Sequence, residues 1–163
     1  MEYKVRKAMM EDLPRIEEIY AFARDFMVKT GNPNQWGTTE PPHDQLVEDI
    51  RLGDLYVIVD ADAIHGVFYF WIGPDKCYAY IEDGAWRSVA TYGTIHRIAS
   101  DGSGGILRTA MEFCATLSDH IRSDTHHDNV VMQNAVVKLN FKRSGIIYVP
   151  DGSPRIAYEW DAE

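Results

Sequence analysis

Asp101-Gly102-Ser103-Gly104-Gly105 separates a β-branched apolar run ending at Ser100 from a helix-periodic run opening at Ile106. Glycines between a strand and a helix start let main-chain N–H groups close on phosphate. The positive end of the helix attracts the same anion. The chemistry indicated is therefore the binding of a phosphate-bearing cofactor. Neighbouring spacings argue against other chemistries. Ser103 is not a nucleophile elbow, because Asp101 stands where Gly-x-Ser-x-Gly needs glycine. The stretch is neither Gly-x-Gly-x-x-Gly nor a P-loop, since no Lys-Ser/Thr follows. His126 and His127, with Asp124 and Asp128, are of metal-ligating types, but spacing offers no further ligand and no His-Glu-x-x-His, so no metal is expected.

The elements that must hold this turn are legible from periodicity. Tyr3 to Arg6 reads as a first strand. A helix follows, with Leu13, Ile16, Ile19, Tyr20, Ala23, Phe26 and Met27 three and four apart and Pro14 in its first turn. Gly31-Asn32-Pro33-Asn34 ends it, and a loop carrying Trp36 runs to Pro42. Asp44 to Leu52 predicts a short second helix. Leu55–Val59, Ile64–Ile72 and Cys77–Glu82 read as an antiparallel meander, and Asp83 to Tyr92 as an irregular crossing. Thr94 to Ser100 is the next strand. The helix after the glycines presents Leu107, Ala110, Met111, Cys114 and Leu117 on one face. Ile121 to Thr125 is a strand, and Asp128-Asn129 caps a helix from Val130 to about Asn140. Ile146–Tyr148 and Ile156–Tyr158 flank Asp151-Gly152 as a hairpin. The expected fold is α+β, a single domain over 1–163 with helices flanking a mixed sheet.

Bulk properties narrow the partners. The 163 residues are 45% hydrophobic and 25% charged, as in ordinary globular proteins. A net charge of -9 argues against sequence-blind nucleic-acid binding. It suits a cationic substrate such as an amine, beside the plainer reading of acidity for solubility. Arg97, Arg108, Lys138, Lys142 and Arg143 all fall in the same half as the glycine turn, and would offset a polyanionic cofactor. No apolar run is long enough for a membrane span, and the N-terminus lacks a signal-peptide core. Two distant cysteines, Cys77 and Cys114, suit a reduced, cytoplasmic setting. Exposed strand aromatics would suit a homodimer.

This order resembles the GNAT superfamily of N-acetyltransferases. The resemblance rests on Ile95 to Ile106, on Asp124-Thr125-His126-His127-Asp128-Asn129, and on Met132-Gln133-Asn134-Ala135 through Leu139-Asn140-Phe141. It implies acetyl-CoA as co-substrate and an amine acceptor, small molecule or peptide. It also implies a GNAT-like sheet of meander, strand-helix-strand-helix and C-terminal hairpin. Gly102, Ser103, Gly104, Gly105 and Ile106 would hold the pyrophosphate, and Ile98 and Ala99 would pair with the pantetheine arm. Asn129 matches the asparagine that opens the last helix and faces the cofactor, and it also serves as a helix cap. Two departures stand out. The family's leading Gln or Arg is absent from the turn. Val136 occupies the position where members often carry the tyrosine that protonates the leaving thiolate, which leaves Tyr148 and Tyr158 as candidates.

Acetyl transfer also needs an oxyanion donor and a base. An N–H on the Ile98 to Ser100 strand would serve the first. Glu82, at a strand end, and His96 are the base candidates, against a solvated carboxylate and a structural histidine. Trp36, Tyr69 and Trp71 would line the acceptor pocket, with core packing as the alternative. The reading is an acyl-CoA-dependent N-acyltransferase working by direct attack. Its alternative is a non-catalytic CoA-binding sensor or interaction module of the same fold.

Overall fold

The alternation of apolar side chains along the strands separates two cores, one on each face of a single sheet. The computed structural model describes residues 2–61 and 63–162. Its strands are β1 (Lys4–Lys7), β2 (Leu55–Val59), β3 (Ile64–Ile72), β4 (Gly93–Ser100), β5 (His120–Thr125), β6 (Lys142–Tyr148) and β7 (Pro154–Asp161). Its helices are α1 (Leu13–Lys29), α2 (His43–Leu52), α3 (Ile106–Ala115) and α4 (Val130–Lys138). The sheet order is β1-β2-β3-β4-β5-β7-β6. β4 and β5 run parallel and every other pair is antiparallel, so the sheet is mixed, as expected.

Leu55, Val57 and Val67 point to the α1/α2 side, while Ile58, Phe68 and Phe70 point to the α3/α4 side. α1 seals the first face with Leu13, Ile16, Ile19, Tyr20 and Ala23, all buried. Burial of each large aliphatic is worth about 1.5–3 kcal/mol. Asp12 fixes how α1 leaves β1. It accepts the Met9 N–H at 2.8 Å and both terminal Arg6 nitrogens at 2.8 and 3.0 Å.

Two irregularities build the site. Val67 pairs with Ala99 but Tyr69 with His96, so β4 carries one extra residue, a β-bulge. Arg97 sits there at φ 51, in the left-handed region. The second is the parallel pair. β4 and β5 register only at Gly93↔Ile121 and Thr94↔Arg122, then separate.

One expected strand is absent. Cys77–Glu82 does not extend the meander; β3 pairs with β4 itself. Asp75 accepts the Cys77 N–H at 2.9 Å and turns the chain into a single 3-10 turn at Lys76–Tyr78. Buried Tyr78 then anchors this segment. Glu82 meets the sheet through an isolated bridge to Ile146 of β6, at the edge away from β4. α3 also ends early, so Leu117 lies beyond it and is exposed. Among the described residues no helix is long and apolar enough to cross a membrane.

Candidate active site

Where β4 and β5 part, two cavities open and join. The larger, about 640 Å³, is lined by Trp36 and Glu40 of the α1–α2 loop, Tyr69, Asp75, Cys77, His96, Arg97, Asp124 and Arg155, among others. The smaller, about 310 Å³, runs between α1 and the β4–α3 turn. Met27, Ile98, Asn129 and Met132 border both. Past Thr94 the β5-facing edge of β4 has no main-chain strand partner; Ile95 O accepts Ser123 Oγ at 3.0 Å, and beyond it the edge borders the gap.

The smaller cavity has apolar walls and lies beside the glycine turn at the start of α3. Phe22, Phe26 and Val131 line it, yet each is nearly half exposed. Ile98, Ala99, Ser100, Gly102, Ile106 and Asn129 complete it. Ser103, Gly104 and Gly105 continue the turn above. Gly105 stands at φ 80 as α3 begins, a conformation that glycine adopts without strain. The first bond into the helix is Thr109 N–H to Gly105 O at 3.0 Å. Among the described residues, the N–H groups of Gly104, Gly105, Ile106 and Leu107 have no acceptor. Side chains hold the turn in shape. Asp101 accepts the Ser103 N–H at 3.0 Å, Arg15 Nη2 at 2.9 Å and His65 Nδ1 at 2.8 Å. Tyr3 donates to Gly104 O at 3.0 Å.

The larger cavity has the chemistry. His96 and Arg97 are consecutive, but the bulge sends both to the α1/α2 face. Arg97 lies 4.4 Å over the Tyr69 ring and pairs with buried Asp49 at 2.9 Å. Tyr20 donates to Arg97 O at 2.5 Å, pinning the bulge from α1. His96 Nε2 bonds Asp75 at 2.9 Å, while its Nδ1 stands 3.8 Å from Asp124. Burial raises the Asp75 carboxyl, but the His96 hydrogen bond and charge outweigh it and the net shift is downward. An ionised Asp75 holds the tautomer that donates from Nε2, which leaves Nδ1 as a free lone pair. Tyr78 donates to Asp124 at 2.6 Å, and burial followed by Asp124 raises its phenol far above the ordinary range. The arrangement can accept a proton at His96 and stabilise a cation beside Asp75, Asp124 and Glu40.

No protein-family model matches the chain, and no curated protein does. Solved structures do. The chain is similar to a GNAT-family acetyltransferase from Streptococcus agalactiae, with 26% identity over 99% of this chain and 96% of that one, at TM-score 0.89. It is similar to a GNAT-family acetyltransferase from Listeria monocytogenes at 19% identity, over 99% and 96%, with TM-score 0.73. A NatC complex bound to Gag peptide and CoA contains a chain of like fold, at 15% identity over the full length of both, with TM-score 0.57. The chain has the fold of the GNAT-family acetyltransferases.

Within this GNAT fold the expected site residues divide. His96, Trp36 and Tyr69 meet in the larger cavity; Ile98, Ala99, Ser100, Gly102, Ile106 and Asn129 border the smaller. Glu82 does not stand beside β4, because its segment crosses to β6. Tyr148 is exposed near Glu82 and Tyr80, and the Glu82 hydrogen bond raises its phenol. Trp71 is 41% exposed and lines neither cavity. Tyr158 and Val136 are buried in the α3/α4 core. Arg97 pairs with Asp49 and Arg143 with Asp83, so neither serves the turn; Arg108, in the first turn of α3, remains near it. Asn129 is a cap, accepting the Met132 N–H at 3.0 Å, and also a strap that donates to Gln35 Oε1 at 3.0 Å. His126, His127 and Asp128 gather their ligand-type atoms within 4.8 Å of one another. His126 Nδ1 already takes the Asp128 N–H at 3.0 Å, as in a tight turn before α4.

Sequence reasoning missed Asp75 as the partner of His96, the Phe22/Phe26 wall, and Arg155 with Val149 and Pro150 of the β6–β7 hairpin. One signal was available for the first: Asp75 follows Gly73-Pro74 in a turn next to an aromatic strand. None marked the hairpin, which reaches the cavity only because β7 inserts between β5 and β6.

Proposed function

We propose that the chain transfers an acetyl group from acetyl-CoA to a primary amine. The observation that carries this reading is the parting of β4 from β5. It joins a cavity ending in free helix-start amides to a cavity holding His96. Diphosphate would sit on the N–H groups of Gly104 to Leu107, where the helix dipole favours anions. The pantetheine arm would run along the open edge of β4, against Phe22, Phe26 and Val131. The thioester would lie near Ile98 and Asn129, where the cavities meet. The likeness to a fold seen with CoA in the NatC complex supports this placement.

The step balances without a further reactant. His96 Nδ1 takes a proton from the ammonium, and the neutral nitrogen attacks the thioester carbon. A C–N bond forms and the C–S bond breaks; the nitrogen gives up a second proton, which ends on the thiolate as CoA leaves, and His96 passes the first to water. An N–H of the β4 edge would face the oxyanion; such a donor is worth about 10²–10³ in rate. Calorimetry with acetyl-CoA tests the reading: one site per chain is expected, and no binding at millimolar concentration would overturn it.

The second reading, a CoA-binding module without turnover, is favoured by Val136. The position that often carries the acid is packed into the core. Thiol release over an amine panel separates the two, since binding with no release on any amine selects the module.

A further inference from the structure

The acceptor cavity holds a cation that the acetyl-transfer reading does not use. Arg155 lines it and is only 8% exposed. Its Nη1 donates to Ser153 Oγ at 3.0 Å and Pro154 O at 2.9 Å. Among the described residues, Nε and Nη2 have no acceptor, and no carboxylate lies within ion-pair distance of Arg155. Its charge is felt nearby, because after burial it is the next cause that lowers the His126 imidazole. These nitrogens are not among the sealed, unpartnered atoms of the interior, so the unused half of the fork is reachable from the cavity and free to donate to a ligand there.

A second donor faces the same cavity. Gln35 Oε1 collects three donors: Asn32 Nδ2 at 2.9 Å, Asn129 Nδ2 at 3.0 Å and Thr125 Oγ1 at 3.4 Å. That convergence fixes the amide orientation and leaves the Gln35 Nε2 hydrogens without an acceptor among the described residues. Asp124 pairs with Ala157, so Arg155 is its diagonal neighbour on the same face, roughly 7–8 Å away at the backbone. The cavity is thus polarised. Asp75, Asp124 and Glu40 are suited to a cation, and Arg155 and Gln35 to an anion.

We propose that the acceptor is a zwitterion, an amine that also carries a carboxylate, such as an amino acid or short peptide. The proposal rests on the acetyl-transfer reading. The carboxylate docks on the Arg155 fork and the Gln35 amide, and the amine turns toward His96 and Asp124. A carboxylate fits better than a phosphate, because a dianion would meet three acidic side chains in the same space.

The experiment compares each amino acid with the amine that lacks its carboxylate, using the full chain, saturating acetyl-CoA and thiol-release detection. At least one acid should exceed its decarboxylated partner tenfold or more in kcat/KM. Arg155→Gln should erase the difference by raising KM for the acid, with kcat nearly kept, and Arg155→Lys should restore part of it, since Lys keeps the charge but not the fork. Thermal melts check that both variants fold. A readout without turnover accompanies this: the N-acetylated acid should bind the CoA complex by calorimetry in the native chain and not in Arg155→Gln. Equal use of acid and amine, or N-acetylated acid bound equally by the native chain and the variant or by neither, overturns the proposal. Turnover of plain amines without preference would leave acetyl transfer standing; failure to bind acetyl-CoA would remove both.

Discussion

His96 and His120 each bond a carboxylate at the same sheet, in opposite surroundings. His120 Nε2 meets Glu159 at 2.5 Å, and both side chains are almost wholly buried. Glu159 also accepts the Arg87 N–H at 2.6 Å, the Ser88 N–H at 3.3 Å and Ser144 Oγ at 3.1 Å. Arg122 stands 4.0 Å away, with its guanidinium 3.9 Å from the rings of both Trp86 and Tyr92. His120 Nδ1 is taken as well, by Ala90 O at 3.1 Å. Every nitrogen and oxygen of that pair has a protein partner. His96 spends only Nε2, and its 3.8 Å gap to Asp124 opens on a cavity. The same two residue types make a pin in one place and, in the proposed mechanism, a base in the other. The difference is one uncommitted lone pair.

The sharpest way to break this comparison is to remove each imidazole. His96→Gln should lower amine acetylation by about a hundredfold or more, the usual share of a general base, with melting unchanged. His120→Gln should leave kcat/KM within about twofold and lower stability. Equal rate losses in both would mean that His96 also acts through structure.

Next in size is Glu159→Ala. It leaves His120 Nε2, the Ser144 hydroxyl and the Arg87 and Ser88 N–H groups without their shared acceptor. Breaking such a buried cluster costs about 3–5 kcal/mol, measurable by urea unfolding. Asp75→Ala, in the open site, should cost far less stability and act on rate instead.

Much of this contrast was absent from the sequence for a physical reason. Strand alternation and helix periodicity made nine of the eleven regular elements readable to within two residues, because one buried face dictates the pattern. The hairpin strands were shorter in that reading than β6 and β7 are. The glycine turn was readable because main-chain geometry demands glycine. The partners of His96 and His120 were not, since Asp75 is 21 residues from His96 and Glu159 is 39 from His120. Glu82 was misplaced by local pattern, and only the Asp75 turn and Tyr78 burial overrule it. The bulge at Arg97 broke the period-2 rule that would otherwise put His96 and Arg97 on opposite faces.

A smaller effect tests whether the cleft's phosphate end is as open as its amine end. Gly104 has ordinary φ, and a Cβ there would meet nothing within 4 Å. Gly104→Val should therefore fold normally and weaken acetyl-CoA binding about tenfold by crowding the diphosphate. Gly105→Val adds backbone strain at φ 80, so it should lose stability too. Unchanged affinity in Gly104→Val would place the phosphates elsewhere.

The smallest expected effect comes from a third histidine, intermediate between the two. His65 bonds Asp101 at 2.8 Å and Asp60 at 2.7 Å, behind the glycine turn. The Asp101 hydrogen bond, with Asp60, raises its imidazole above the ordinary 6.5. A raised value means that the stabilisation is complete below 6.5 and fades as pH climbs through the folded value. For Asp101, burial pushes upward, but Ser103 and His65 prevail and the carboxyl is lowered. Its contribution therefore holds above the ordinary carboxylate range and is lost only in acid. The turn is thus held best in mildly acidic to near-neutral solution and loosens in base. Acetyl-CoA affinity should fall about two- to threefold between pH 6 and 8.5 in the native chain, as expected for one weakened charge pair near the surface. In His65→Gln the same titration should be flat over that span. A parallel decline in the variant would assign the effect to the cofactor, and the turn would then resemble the sealed His120 end more than the open one.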